Sequence, residues 1–157
     1  MTALARSPAH QHSVPGSTRP APVAARLAYA GLLPFVLGAL LVWLVRPDAH
    51  PYVVDALAKY AALAVSFLAG AHWGLAMRQS VPSPVPFAWS ALFVFVAWVA
   101  VVMPAYAGLV LQGAALIGCY LADRKSYASS GVATWLTLRF RLTAVAALCC
   151  FLAAAGS

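Results

Sequence analysis

Four polar side chains within or beside long apolar segments are the residues of this sequence best suited to chemistry: His72, Gln112, Asp123 and Arg139. A titratable or charged group inside an apolar segment is costly to keep there. Such a group therefore marks a proton relay, a solute site or a hydrogen bond between helices. His72 is accordingly either a functional group or a hydrogen-bonded contact that holds two helices together.

Gln112 and Asp123 are expected on one face of a helix. At 100° per residue, Gln112, Leu116, Cys119 and Asp123 fall within about 40° of one another. An amide in hydrocarbon needs a partner, so we predict that Gln112 joins helices, with a substrate contact as the alternative. Arg139 either extends to the lipid headgroups or turns inward, where Asp123 is the acid available to it.

A strip of small residues accompanies His72 in the same segment. Ser66, Gly70 and Gly74 recur every four residues, which on a helix forms a flat strip where another backbone can approach closely. Trp73 lies beside Gly70 and Gly74 in projection. We assign these four residues to helix packing, on a different side of the helix from His72.

The composition places most of the chain in lipid. Of 157 residues, 64% are hydrophobic and 8% charged, against about 45–50% and about 25% in soluble domains. The formal charge of +7 does not indicate nucleic-acid binding, because the basic residues are scattered at the ends of apolar segments rather than clustered on one exposed face.

Apolar segments predict an all-α membrane protein with five transmembrane helices. The expected spans are about 27–45, 53–77, 87–103, 105–122 and 135–155, each close to the length that crosses a bilayer. Residues 46–52, 78–86 and 123–131 are expected loops, and Pro34 should loosen the first span. Residues 1–26 contain four prolines and no acid, so we predict a disordered basic tail before a membrane domain of residues 27–157.

The distribution of basic residues predicts the orientation. With a cytoplasmic amino terminus, eight of the ten basic residues lie inside: Arg6, Arg19, Arg26, Arg78, Arg124, Lys125, Arg139 and Arg141. The outside segments then hold only Arg46 and Lys59, of which Lys59 should pair with Asp55 at i, i+4. We therefore predict a cytoplasmic amino terminus and a carboxyl terminus on the opposite side.

The residues provide no pattern for an enzyme, a metal or a cofactor. Cys119, Cys149 and Cys150 lie in apolar segments without ligand spacing, and they are expected as buried small side chains. His10 and His12 alone make a weak metal site. A haem would need a second axial histidine, which a homodimer could supply from its own His72. We therefore expect a non-enzymatic protein without metal or cofactor.

Four features of the sequence together carry a family resemblance: the segment from Ser66 to Gly74, Gly31-Leu-Leu-Pro-Phe35, Gln112, and the start of the last span with Trp135, Arg139 and Thr143. With these features the chain resembles the domain-of-unknown-function 3429 family that includes transmembrane protein 69. The most specific part is Ser-Phe-x-x-Gly-x-x-Trp-Gly, matched by Ser66, Phe67, Gly70, Trp73 and Gly74. The resemblance covers about 25–155. It implies a small five-span protein of bacteria and eukaryotic organelles, with no catalytic residues to assign.

Two functions follow as hypotheses. The first is a helix-packing or complex-associated membrane component that uses the Ser66, Gly70 and Gly74 strip to contact a second copy or a larger complex. The second is a conduit or binding site for a proton or small solute at His72, Gln112 and Asp123. The expected location is a bacterial cytoplasmic membrane, or alternatively the mitochondrial inner membrane.

Overall fold

The computed structural model describes residues 22–77, 83–127 and 133–157. Within these ranges the chain forms six helices and no strand: α1 (Pro22–Ala30), α2 (Leu33–Leu44), α3 (His50–Met77), α4 (Pro84–Val102), α5 (Ala105–Tyr127) and α6 (Ala133–Ala155). α1 and α2 together form the first of five segments long and apolar enough to cross a membrane. The all-helical architecture and five candidate spans agree with the sequence.

The break between α1 and α2 has a simple cause. Pro34 has no N–H to bond the carbonyl of Ala30, so the helix is interrupted by a turn at Gly31 and Leu32. The Tyr60 hydroxyl of α3 donates a hydrogen bond to the Gly31 carbonyl at 2.9 Å. The predicted loosening therefore occurs, and a side chain from the next span helps to hold it.

Three helices extend into segments that were expected to be loops. α3 begins at His50 because Pro51 occupies the first turn, where the missing N–H would be unpaired anyway. α4 begins at Pro84 for the same reason, after Ser83, whose hydroxyl accepts a hydrogen bond from the Val85 N–H. α5 continues past Asp123 to Tyr127, so Asp123 is helical rather than part of a loop.

The other predicted boundaries differ less. α6 begins two residues before the expected span. Residues 22–26, which were assigned to the tail, form the first turns of α1. The rest of that tail, with His10 and His12, and the predicted loop around Arg78 lie outside the described residues.

The helices pack around α3 and α5. α5 contacts α3, α4 and α6, while α3 also contacts α2 and α4, and α2 closes against α6. Many of the buried side chains are small, as at Ala58, Ala61, Ala69, Ala97 and Ala153. Small side chains allow helices in lipid to approach closely, where the hydrophobic effect does not drive them together.

Large apolar side chains cover the outside of the bundle. Among the exposed ones are Leu44, Phe67, Trp98 and Leu148. A soluble bundle would bury such residues and expose charged ones. The small-inside, large-outside arrangement is therefore that of a protein whose solvent is lipid.

Candidate functional site

His72 is a buried titratable residue near the carboxyl end of α3. Its side chain is only 6% exposed. The Nδ1 atom lies 3.0 Å from the carbonyl oxygen of Leu68, one turn earlier. A carbonyl oxygen can only accept, so Nδ1 carries a proton and donates it. Nε2 is therefore the nitrogen that can gain or lose a proton.

Asp123 of α5 faces that second nitrogen. Its Oδ1 atom lies 2.6 Å from His72 Nε2, and its side chain is 3% exposed. The extension of α5 beyond the predicted span is what brings the carboxylate here, because a loop at residue 123 would have left it in water. Two atoms that both present lone pairs would repel at this distance, so Nε2 and Oδ1 share one proton.

Arg139 of α6 completes the group. Its Nη2 atom lies 2.6 Å from Asp123 Oδ2, and its side chain is 23% exposed. Of the two predicted alternatives for this arginine, the structure has the inward one, with Asp123 as its partner. Arg141, two residues later, is exposed. We refer to the three side chains as the His72–Asp123–Arg139 cluster.

The cluster combines close charges with unused hydrogen-bonding capacity. Asp123 Oδ2 and Arg139 Nε are buried, and each lacks an aligned hydrogen-bond partner among the described residues. With one proton between His72 and Asp123, and with arginine always protonated, the three groups together carry one net positive charge. A net charge that is largely buried is costly unless it is compensated by a partner or by water.

The helix beside the cluster adds no charge. α4 contains no Asp, Glu, Lys, Arg or His, so Asp123 and Arg139 are the charged groups that face His72 from the described helices packed near it. On α4, the Ser90 hydroxyl donates a hydrogen bond to the Ala69 carbonyl of α3 at 2.5 Å. That contact fixes α4 against α3 one turn before His72.

Gln112 lies apart from the cluster. Gln112, Leu116, Cys119 and Asp123 are all buried, as their shared face predicts. Gln112 nevertheless precedes Asp123 by about 16 Å along α5, at 1.5 Å per residue. Its Nε2 atom donates to the Ala97 carbonyl of α4 at 3.2 Å, which is the helix-joining contact expected. The second hypothesis grouped Gln112 with His72 and Asp123; only the latter two are together.

The predicted packing strip lies on the outside of the single chain. Gly70 and Gly74 are exposed and Ser66 is half-buried. A Cβ added at either glycine would meet nothing within 4 Å among the described residues. Trp73 packs edge-to-face on Phe87 of α4, with ring centres 4.9 Å apart. The strip is thus free to contact a second molecule, and its role in packing stays a prediction.

Close packing inside the chain uses other glycines. A Cβ at Gly108 would lie 2.3 Å from the Ala100 carbonyl oxygen across the α4–α5 hairpin. At Gly38 and Gly113, added Cβ atoms would lie 2.9 Å from Leu57 and Phe151 side chains. The close approach at Gly38 agrees with its expected role on the first span, whereas Gly108 and Gly113 were not predicted from the sequence. One feature of the sequence could have indicated close packing at Gly108: it lies in the first helical turn after the short connection between two apolar helices.

Contacts at the opposite end of the bundle are structural. His50 Nε2 donates to the Gly156 carbonyl at 3.0 Å, which ties the start of α3 to the end of α6. Asp55 and Lys59 form the predicted i, i+4 pair at 2.6 Å, with both side chains more than half exposed.

The three cysteines are free and buried. In the described part of the chain, no three His, Cys, Asp or Glu residues come together to hold a metal.

The comparison with protein families gives a match over residues 20–155, with the model described as "Protein of unknown function (DUF3429)". The chain belongs to this family. The match covers nearly all of the DUF3429 protein, including all six helices and the whole cluster. It does not bear on the resemblance to transmembrane protein 69, which stays a prediction. No curated protein and no solved structure matches the chain significantly.

Proposed function

We propose that this DUF3429 protein is a non-enzymatic integral membrane protein that binds and passes on a proton at the His72–Asp123–Arg139 cluster. The observation that carries the proposal is the 2.6 Å contact between His72 Nε2 and Asp123 Oδ1, in side chains 6% and 3% exposed. An imidazole and a carboxylate at this distance share a single proton, and either group can hold it.

The size of the site favours a proton over a larger solute. Its three charged groups are already in mutual contact at 2.6 Å, so a proton is the ligand that fits between them without moving a helix. Arg139 keeps Asp123 in place whether or not His72 is charged. The unaligned polar atoms leave capacity for water to deliver or remove the proton.

The proposed setting follows from the basic residues and the family resemblance. Eight of ten Lys and Arg residues lie on one side if the amino terminus is cytoplasmic, so we place the amino terminus, and the cluster end of the bundle, at the cytoplasmic surface. We propose a bacterial cytoplasmic membrane, with the mitochondrial inner membrane as the alternative.

Proton flux into liposomes tests the relay. The purified full-length chain is reconstituted with a trapped pH-sensitive dye, and the initial rate is measured after an imposed potential. We expect flux above that of protein-free liposomes, a reduction of at least about tenfold in His72→Gln, and a wild-type rate in His50→Gln, which removes a histidine outside the cluster.

A wild-type rate equal to that of empty liposomes, or equal rates in His72→Gln and wild type, would reject the relay. If His72→Gln does not fold, the ring nitrogens of ¹⁵N-histidine-labelled wild type provide the second measurement. The His72 signals should change as the pH of the sample is varied, because gain or loss of a proton changes the imidazole. Signals that stay constant would also reject the proposal.

Self-association is a second candidate function, favoured by the open surface at Gly70 and Gly74. A second copy could approach the strip formed by Ser66, Gly70 and Gly74 closely, as small residues permit in lipid. We expect Gly70→Leu to abolish a crosslinked dimer band and the slower species on a native gel. Ala91→Leu, at an exposed alanine of α4, is the matched control and should leave both unchanged. Unchanged association in Gly70→Leu would exclude this interface.

A further inference from the structure

An apolar groove of about 350 Å³ runs along the outer side of α5 and α6. Its lining includes Ile117, Tyr120, Phe140, Ala144, Leu148 and Phe151. Tyr120 and Phe140 pack together near one end, with ring centres 5.6 Å apart. The groove is large enough for part of a small molecule or a chain of methylene groups.

The length of the groove corresponds to one leaflet of a bilayer. From Phe140 to Phe151, α6 advances by about 16 Å at 1.5 Å per residue. Half of the hydrocarbon core measures about 15 Å. A single acyl chain lying along α6 would therefore occupy the groove from the headgroup level to the middle of the membrane.

Two arginines lie near the Tyr120–Phe140 end of the groove, one beyond Tyr120 on α5 and one next to Phe140 on α6. Arg124 follows Tyr120 by four residues on α5, and Arg141 precedes Ala144 by three residues on α6. At these spacings Arg124 continues the α5 wall of the groove, whereas Arg141 lies at the edge of the α6 wall, between the faces of Ala144 and Val145. Both are exposed.

The chain contains no acid to neutralise these arginines. It has three acidic residues, Asp48, Asp55 and Asp123. Asp123 is engaged by His72 and Arg139, and Asp55 by Lys59. Asp48 lies just before α3, at the opposite end of the bundle from Asp123. An anion that pairs with these arginines must therefore come from outside the chain.

We propose that this groove binds an anionic phospholipid, with one acyl chain along α5 and α6 and the phosphate on Arg124 and Arg141. A basic pocket beside transmembrane helices is suited to an anionic headgroup, and the apolar groove that continues from it is suited to the attached chain. This inference goes beyond the proton relay, because it uses neither His72 nor Asp123.

Native mass spectrometry of the full-length chain tests the lipid site. The protein is released from mixed micelles that contain equal amounts of phosphatidylglycerol and phosphatidylcholine. We expect wild type to retain phosphatidylglycerol preferentially. In the Arg124→Gln/Arg141→Gln variant, the ratio of retained phosphatidylglycerol to phosphatidylcholine should fall by at least about tenfold. Arg46→Gln, at the other end of the bundle, should keep the wild-type ratio.

A second pair of variants tests the groove itself. Ala144→Phe fills it from an exposed position and should reduce retention of both lipids, whereas Val145→Phe, at the exposed neighbouring residue, should not. Equal preference in Arg124→Gln/Arg141→Gln and wild type would overturn the proposal. An equal loss of lipid preference in Arg46→Gln would also overturn it, because the preference would then depend on net charge alone. Equal lipid retention in Ala144→Phe and Val145→Phe would overturn it as well.

Discussion

Asp123→Asn is expected to destabilise the protein by about 3–5 kcal/mol, the cost typical of breaking a buried ion pair by removing one partner. Asparagine has nearly the same shape as aspartate, so the change removes charge without leaving a cavity. Arg139, at 23% exposed, would then keep a partly buried charge with no counter-ion, and His72 would lose the group with which it shares a proton. The measurement is the free energy of unfolding in lipid micelles.

The control for this prediction replaces the whole cluster. In His72→Leu/Asp123→Leu/Arg139→Met, no charge remains to be compensated, and apolar replacements of buried ion clusters are often neutral or stabilising. We expect the free energy of unfolding of this variant to lie within about 1–2 kcal/mol of the wild-type value. The variant should conduct no protons. A free energy of unfolding for Asp123→Asn within about 1 kcal/mol of the wild-type value would contradict the prediction. A conducting triple variant would contradict the relay instead.

Gly108→Ala is expected to cost about 2–3 kcal/mol, at the upper end of the range for overpacking. The added Cβ would lie 2.3 Å from the Ala100 carbonyl oxygen, which belongs to backbone and cannot rotate away. α4 and α5 must therefore separate. The separation would also weaken the hydrogen bond from Gln112 to Ala97. The same unfolding measurement provides the check.

Gly70→Ala is the matched control, since it makes the same chemical change in a helix where no described residue outside the local helix backbone lies within 4 Å of the new Cβ. It should leave stability unchanged or raise it by up to about 1 kcal/mol, because alanine favours helix more than glycine does. Similar losses in Gly70→Ala and Gly108→Ala would mean that the close approach of α4 and α5 is not what Gly108 provides.

Helix boundaries show where sequence patterns were ambiguous. Pro51 and Pro84 were interpreted as ends of loops because proline is excluded from helix interiors, yet each lies in the first turn of a helix, where it is tolerated. The polar residues after Ala122 were assigned to a loop for a similar reason. Polarity marks where a helix leaves the lipid, but it does not mark where the helix ends.

The sequence by itself determined the five spans and the buried face of α5. In lipid, backbone groups must be bonded within each segment, so a long apolar segment has little choice but helix. A periodicity of 3.6 residues then places Gln112, Leu116, Cys119 and Asp123 together. Both inferences depend only on neighbours along one helix, so the amino-acid sequence was enough to make them.

Only the tertiary structure decided which helices bring their polar groups together and which glycines are covered. His72, Asp123 and Arg139 lie on three helices, and their contacts at 2.6 Å depend on how α3, α5 and α6 are rotated about their axes. The same rotations cover Gly108 and leave Gly70 open. Rotation is set by the packing of many small side chains at once, and no local pattern in the sequence encodes it.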